Sequence, residues 1–332
     1  MSGSPSPLLT LLGDGRGRIE EAMLASVKTS DAHLTELASH LIVAGGKRLR
    51  PVLTVITGSI ASTDGPSGVS NEVVLGGVAC ELVHLGSLYH DDVMDESPTR
   101  RGVETVNARW GNLQAILAGD FLLARASEIA AGLGTEVAGL LARTIGWLCE
   151  GQIEELRFTY DPDRTEESYH SSIRGKTASL YATSARVGGI VAGLDRADIE
   201  SLTVFGDAFG MLFQIVDDVL DLTSTDGALG KPAGHDMQVG VYTLPVLHTM
   251  SAGGSEGDRL RSMLGGPLDE DQRSAALEIV RQGPGIESTV SVAVDFVDRA
   301  VAALEPLGDS PSLEALRAAP AALLSTVLSP TG

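Results

Sequence analysis

Two stretches decide the fold class: LGSLYHDDVMD at residues 85–95 and MLFQIVDDVLD at residues 211–221. Each is a largely apolar run that ends in two adjacent aspartates, with a third four positions after the first. On an α-helix, residues four apart lie about 40° apart around the axis and one turn apart along it, so Asp91 and Asp95 share a face while Asp92 points about 100° away. Asp217, Asp218 and Asp221 repeat that geometry. Like charges at this spacing destabilise a helix by ~0.2–0.5 kcal/mol, and by more where neighbours such as Val93 and Met94 exclude water. Such a helix calls for a cation. Oxygen-only ligands suit Mg2+, which keeps several of its waters and bridges carboxylates to phosphate oxygens. A single acidic helix end is as readily a solvated surface. Two copies of one design, brought together in space, would set six carboxylates around one cavity.

Outward from these stretches, apolar residues recur at helical spacing over 16–43, 71–95, 112–133, 136–158, 166–190, 197–222, 270–282, 286–305 and 311–328. Turn chemistry separates them, as in STDGPSGVSN at 62–71 and STDGALGKPAGHD at 224–236. No alternating strand pattern stands out. Hydrophobic residues make up 43% of the chain and aromatics only 4%, a composition that fills the core of packed helices rather than a sandwich of strands. The sequence therefore predicts an all-α fold in one domain over residues 1–332, with residues 1–15 as a poorly ordered tail.

The net charge is −20, which argues against nucleic acid as the main partner, because a polyanion needs a basic face. Acidity leaves room for divalent cations, and for anions held in local basic pockets. Cys80 and Cys149 both lie in apolar helical stretches and read as free buried thiols in a reducing compartment. The N-terminus MSGSPSPLLTLLGDGRGR has neither the early positive charge of a signal peptide nor the arginines of a transit peptide. No uninterrupted apolar run reaches the ~18 residues of a membrane span. The expectation is a cytoplasmic protein with transient membrane contact at most.

Positive charge gathers in AGGKRLRP at 44–51, where Gly45 and Gly46 let the backbone approach an anion and Lys47, Arg48 and Arg50 supply donors. Read alone, this is as well a basic surface turn. Arg100 and Arg101 follow Asp95 closely, within reach of a phosphate that a metal bridges to it. Lys176 and Thr177 in RGKTASL and Lys231 in ALGKPAG add donors on the second side of the cavity.

Taken together, GGKRLRP at 45–51, DDVMD at 91–95 with Arg100, Arg101 and Gly102, the Lys176–Thr177 pair, and FQIVDDVLD at 213–221 resemble the trans-isoprenyl diphosphate synthase (polyprenyl synthetase) family. The resemblance spans nearly the whole chain. It implies the isoprenoid synthase fold, an antiparallel helix bundle around a central cavity, and usually a homodimer. It implies three Mg2+ ions, two on Asp91, Asp92 and Asp95 and one on Asp217 with Asp218 and Asp221. Isopentenyl diphosphate would then be held by Lys47, Arg50, His84 and Arg101. Its allylic partner, farnesyl or geranylgeranyl diphosphate, would be held by Arg100, Lys176, Thr177, Gln214 and Lys231. Lys176 would join the aspartates in catalysis. Without the resemblance, His84 reads as a satisfied core histidine, and His235 and His248 stay unassigned.

Residues four and five before Asp91 lie about one turn below the metal face; they are Ser87 and Gly86, too small to make a floor, and because that difference separates short products from long ones in the family, the resemblance implies a product of about thirty to fifty carbons. A side chain from another helix could close that tunnel early and give a short-chain synthase instead. Relatives commonly carry a lysine where GVYTLP has Val241, which removes one contact to the allylic diphosphate. Two rivals have discriminating features: a terpene cyclase would carry an Asn/Ser/Glu-type second motif, and a non-catalytic subunit of a heteromeric synthase would have lost aspartates. Both motifs here are complete.

Overall fold

The computed structural model describes residues 6–224 and 232–328. The all-α prediction holds: apart from one two-stranded hairpin, the regular elements of the described residues are helices. At the centre stand α5 (Asn71–Met94), α10 (Ser179–Val191) and α11 (Arg196–Thr223). Around α5 pack α2 (Gly15–Ser26), α4 (Leu49–Gly58) and α7 (Asn112–Leu133), with α3 (Ala32–Val43) against α7. Around α10 pack α4, α5, α8 (Thr135–Arg157) and α11. The outer side of α11 is covered by α13 (Leu244–Ser251), α15 (Glu270–Gln282), α16 (Gly285–Ala303) and α17 (Pro311–Leu328). Short helices fill the connections: α6 (Val106–Trp110), α9 (Glu166–Ile173), α12 (His235–Gln238) and α14 (Gly254–Met263). One contiguous buried cluster runs from Leu8 to Leu324.

α5 and α11 are long and apolar enough to cross a membrane, yet both are mostly buried inside the protein. Their apolar character serves the core, and each changes to adjacent aspartates near its C-terminal end. On α11 the change follows one stripe, Gly206, Gly210, Gln214 and Asp218, at four-residue spacing. Gly206 and Gly210 lie so close to Ala178, Tyr181 and Ala182 that a Cβ on either would overlap them. This contact sets how near α11 sits to the residues leading into α10, and so where Gln214 and Asp218 emerge.

Several expectations change. The region 16–43 is two helices, because the turn after Ser26 leads to Asp31, whose carboxylate caps α3 by accepting from the amides of His33 and Leu34. The tail expected over 1–15 is helical from Pro7 in α1 (Pro7–Leu12), which buries Leu8 and Leu12 and packs against α17 and α4. Leucine burial outweighs the glycines and serines around it. Cys80 and Cys149 are both free, but only Cys80 is buried; Cys149 lies on the exposed face of α8. Between α5 and α6, Thr99–Arg100 pairs antiparallel with Val103–Glu104. The turn is Arg101–Gly102, both at positive φ (54° and 77°), which is the two-residue hairpin geometry that suits strand twist.

Candidate active site

One face of α5 carries Glu81, His84, Leu88, Asp91 and Asp95, which fall within an arc of about 80° on an ideal helix. The stripe is basic in its surroundings at the Glu81 end and acidic at the Asp95 end.

At the first end, the loop after α3 turns through Gly45 (φ 89°), Gly46 (φ 147°) and Arg48 (φ 53°). The Arg101 guanidinium lies against Gly46, where a Cβ would come within 2.9 Å of Arg101 Cζ, and donates to the carbonyls of Leu41 and Gly45. A side chain at 46 would displace the Arg101 guanidinium, more than fifty positions away, and would sit on a backbone whose φ of 147° disfavours it. Arg48, grouped with the anion-binding donors by its place in the sequence, faces the other way. It is 2% exposed and donates to Glu20 at 2.9 Å, to Glu81 at 3.2 Å and to the Ile42 carbonyl at 2.6 Å, tying α2, α5 and α3 together. Arg48 is a core residue.

Arg50 has no such partner. Its guanidinium lies 4.7 Å from the centre of the Tyr181 ring, and its Nε is buried without a hydrogen bond among the described residues. Burial holds the His84 imidazole well below its usual pKa, and Arg50, Arg101, Arg100 and Arg48 push it further down. A neutral histidine amid four arginines presents a donor and an acceptor and adds no charge. Lys47 is exposed beside this loop. Arg50, His84 and Arg101 therefore come together as the resemblance implies.

At the second end, burial is the largest influence on the carboxyls of Asp91, Asp92 and Asp95, raising all three. Lys176 is the nearest opposing charge for Asp91 and Asp95, and lowers both. Asp95 is exposed at the rim, yet the surrounding protein still raises it. Neither Asp91 nor Asp95 makes a hydrogen bond or ion pair through its side chain among the described residues. Asp92 is buried and bound to Arg100 Nε at 2.5 Å, with Asn107 donating to its backbone carbonyl at 3.0 Å. Arg100 is thus committed to Asp92 here.

Across the cavity, α9 passes into α10 through a wide π-type turn, Arg174–Ala178, that carries Lys176 and Thr177. Such turns interrupt a helix mostly where function requires it. Gly151 of α8 meets this turn so closely that a Cβ would overlap the backbone of Gly175 and Lys176. Lys176 Nζ lies 2.7 Å from Glu155 Oε1 on the same helix as Gly151. Thr177 Oγ1 donates to Gln214 Oε1 at 2.7 Å, Gln214 Nε2 donates to Asp218 Oδ1 at 2.8 Å, and the Tyr169 hydroxyl donates to Asp218 Oδ2 at 2.6 Å. Asp218 is fully buried and raised well above the usual carboxyl range, first by burial, with Asp236 and Asp217 adding to it. Asp217 is exposed towards the cavity and acts electrostatically on Tyr181, which also feels Arg50 and Glu81. Asp221 is buried at the end of α11, its carbonyl accepting from the Gly234 amide at 3.0 Å. His235 faces Asp95 electrostatically. His248 contacts Glu166 at 3.3 Å, away from these groups. Lys231 lies outside the described residues.

Two sequence expectations fare differently beneath Asp91. Gly86 does not border open space: a Cβ there would meet the Gly119 carbonyl and the Leu123 side chain of α7 at 3.1 Å. It is a helix-crossing glycine, and Leu123 occupies the room it leaves. Ser87 is half-buried and donates to the His84 carbonyl at 2.8 Å. Val241 sits in the segment after α12, where its amide donates to the Asp236 carbonyl at 2.8 Å. The residues missed by sequence reading are Glu155, Tyr169, Tyr181 and Glu81. None lies in a recognisable motif; the only signal was a charged residue, Glu81, inside the otherwise apolar α5.

The donor set fits a divalent cation: it is all oxygen, and Asp91 and Asp95 face the cavity without a bonded partner. Among the described residues no three acidic, histidine or cysteine side chains converge on a point that would hold a metal alone.

Comparison with known proteins gives the family. The chain is 39% identical over 305 residues to the nonaprenyl diphosphate synthase of Mycobacterium tuberculosis, covering 92% of this chain and 90% of that one. It matches the polyprenyl synthase of Caulobacter crescentus, solved with calcium and isoprenyl diphosphate, with a TM-score of 0.90, 32% identity and 98% of each chain covered. The geranylgeranyl pyrophosphate synthase of Corynebacterium glutamicum, also solved with calcium and isoprenyl diphosphate, matches with a TM-score of 0.83, 36% identity and 98% of each chain. The polyprenyl synthetase family profile matches residues 31–280, and with its aspartate helices, basic loop and Lys176–Thr177 turn on one cavity, the chain belongs to that family.

Proposed function

We propose that this chain is a trans-prenyltransferase that condenses isopentenyl diphosphate with an allylic diphosphate, farnesyl or geranylgeranyl, to give a long-chain polyprenyl diphosphate. One observation carries the reading: a single face of α5 joins a cation-rich pocket, with Arg50, Arg101 and neutral His84, to a carboxylate pair, Asp91 and Asp95, that lacks a bonded cation. A site of that kind takes two anions, one directly on arginines and one through metal ions.

Lys47, Arg50, His84 and Arg101 hold isopentenyl diphosphate. Asp91, Asp92, Asp95, Asp217, Asp218 and Asp221 would hold Mg2+, three ions by family resemblance, and the bound metal would supply Lewis-acid neutralisation of diphosphate charge. Lys176, Thr177 and Gln214 orient the allylic diphosphate, with Arg100 exchanging Asp92 for a phosphate oxygen and Lys231 a further donor by family resemblance alone. As the allylic C–O bond breaks, Lys176 and Arg100 stabilise the leaving anion. The isopentenyl double bond attacks the allylic carbon, and the proton lost goes to the departed diphosphate. The apolar walls of α5, α10 and α11 exclude water that would otherwise capture the cation.

Purified protein incubated with isopentenyl and farnesyl diphosphates and Mg2+ is expected to make products longer than geranylgeranyl diphosphate, and none with EDTA. Absence of product from the chain alone, with activity restored by a second protein, would favour a heteromeric synthase. In the same assay Ser87→Phe is expected to shorten the dominant product by two or more isoprene units; an unchanged length would remove Ser87 from the chain path.

We also propose a homodimer through α7 and α8, where Leu113, Leu117, Ile153 and Leu156 are 80%, 64%, 52% and 51% exposed on adjacent helices. Light scattering is expected to give twice the chain mass, and Leu117→Glu to shift it towards monomer. The exposed thiol of Cys149 suits a cytoplasmic setting, with the membrane met transiently as the apolar product leaves.

A further inference from the structure

The Lys176 ammonium faces three carboxylates, Asp91, Asp95 and Glu155, and its bonded partner is Glu155, at 2.7 Å. Glu155 belongs to neither aspartate motif; it comes from α8, whose Gly151 packs directly on the turn that carries Lys176. Asp91 and Asp95 each feel Lys176 strongly and are left without an ion pair.

We propose that Glu155 is a positioning residue that holds Lys176 off Asp91 and Asp95, so that divalent cations find those carboxylates open while Lys176 stays within the cavity. The inference rests on the prenyltransferase reading above. Its physical basis is competition. A lysine ammonium and a hard divalent cation seek the same carboxylate oxygens, and the better-paired lysine at Asp91 would have to be displaced before a metal could bind. A second anion on the far side of Lys176 removes that competition. It also retains the lysine once metal charge has arrived, when repulsion would otherwise drive it towards solvent. Neither role is served by a neutral residue at 155. Glu155 itself lies too far outside the aspartate helices to stand in for either motif in sequence. Gly151 and Gly175 provide the close approach that brings its helix to the turn.

The test uses the intact protein and Mn2+ as the probe, with free ion followed by EPR, alongside steady-state kinetics. Glu155→Gln is expected to weaken Mn2+ binding about tenfold, to raise the Mg2+ concentration for half-maximal activity by a similar factor, and to raise KM for the allylic diphosphate while KM for isopentenyl diphosphate stays within twofold. Lys176→Gln is expected to bind Mn2+ at least as tightly as the wild type, which does not depend on how Glu155→Gln folds. The double variant is expected to regain the Mn2+ affinity of Lys176→Gln. Unchanged Mn2+ affinity in Glu155→Gln, or a loss that persists in the double variant, overturns the role of Glu155 while the prenyltransferase reading stands. A wild type that neither binds Mn2+ nor makes product overturns both.

Discussion

Asp91→Asn is expected to lower kcat by roughly 10²–10³-fold, the range for removing one preorganised electrostatic group from a charged transition state. The substitution keeps size and helix propensity, so the loss isolates charge. Asp91 is the half-buried member of the first motif whose side chain lacks a bonded partner among the described residues, and burial already raises its carboxyl. In metal-free protein, making it neutral removes a like-charge contact with Asp95. Thermal stability without metal should therefore hold or rise while turnover collapses, a combination that a folding defect does not produce. The checks are steady-state kinetics at saturating Mg2+ and thermal denaturation in EDTA. Activity within tenfold of the wild type, with the same Mg2+ requirement, would sink the assignment of Asp91 as a metal ligand.

The second large effect is on stability. Arg48→Met is expected to destabilise the protein by about 3–5 kcal/mol, the usual result of breaking a buried ion pair by removing one partner. Arg48 satisfies Glu20, Glu81 and the Ile42 carbonyl at once, and both its own side chain and that of Glu81 are out of solvent. Methionine fills similar volume but leaves a buried carboxylate without its closest cation. Glu81 then has only Arg50 and Arg101 to neutralise it, so those two groups are drawn from the substrate pocket into the core. A fall in the denaturant midpoint at unchanged slope, with a raised KM for isopentenyl diphosphate, is the expected signature. A midpoint shift worth under ~1 kcal/mol would show that the triad adds little.

The two arginines of the basic loop illustrate where sequence reading stops. KRLR presents Arg48 and Arg50 as equivalent donors, two residues apart. The left-handed backbone at Arg48 and the presence of Glu20 and Glu81 send one into the core and leave the other over the Tyr181 ring, its Nε without a hydrogen bond among the described residues. Glu20 comes from a helix nearly thirty residues earlier, and no local pattern marks it as a partner. Gly86 teaches the same lesson in apolar terms. A missing side chain reads as space, but α7 fills it with Leu123 and the Gly119 carbonyl.

What the sequence by itself determined was the helical class, the boundaries of α5, α7, α8, α11, α15, α16 and α17 to within a residue or two while the extents of α4, α13 and α14 went unread, and the placing of Asp91 with Asp95 and Asp217 with Asp221 on shared helix faces. Those follow from a period of about 3.6 residues and from side-chain type, which are local properties of the chain. Only the tertiary structure decided which cation meets which carboxylate: Arg100 on Asp92, Lys176 on Glu155, Arg48 on Glu81, and Asp91 and Asp95 without an ion pair among the described residues. An ion pair depends on distance and burial together, and both are set by how α5, α8 and α10 pack, through contacts between residues far apart in the chain.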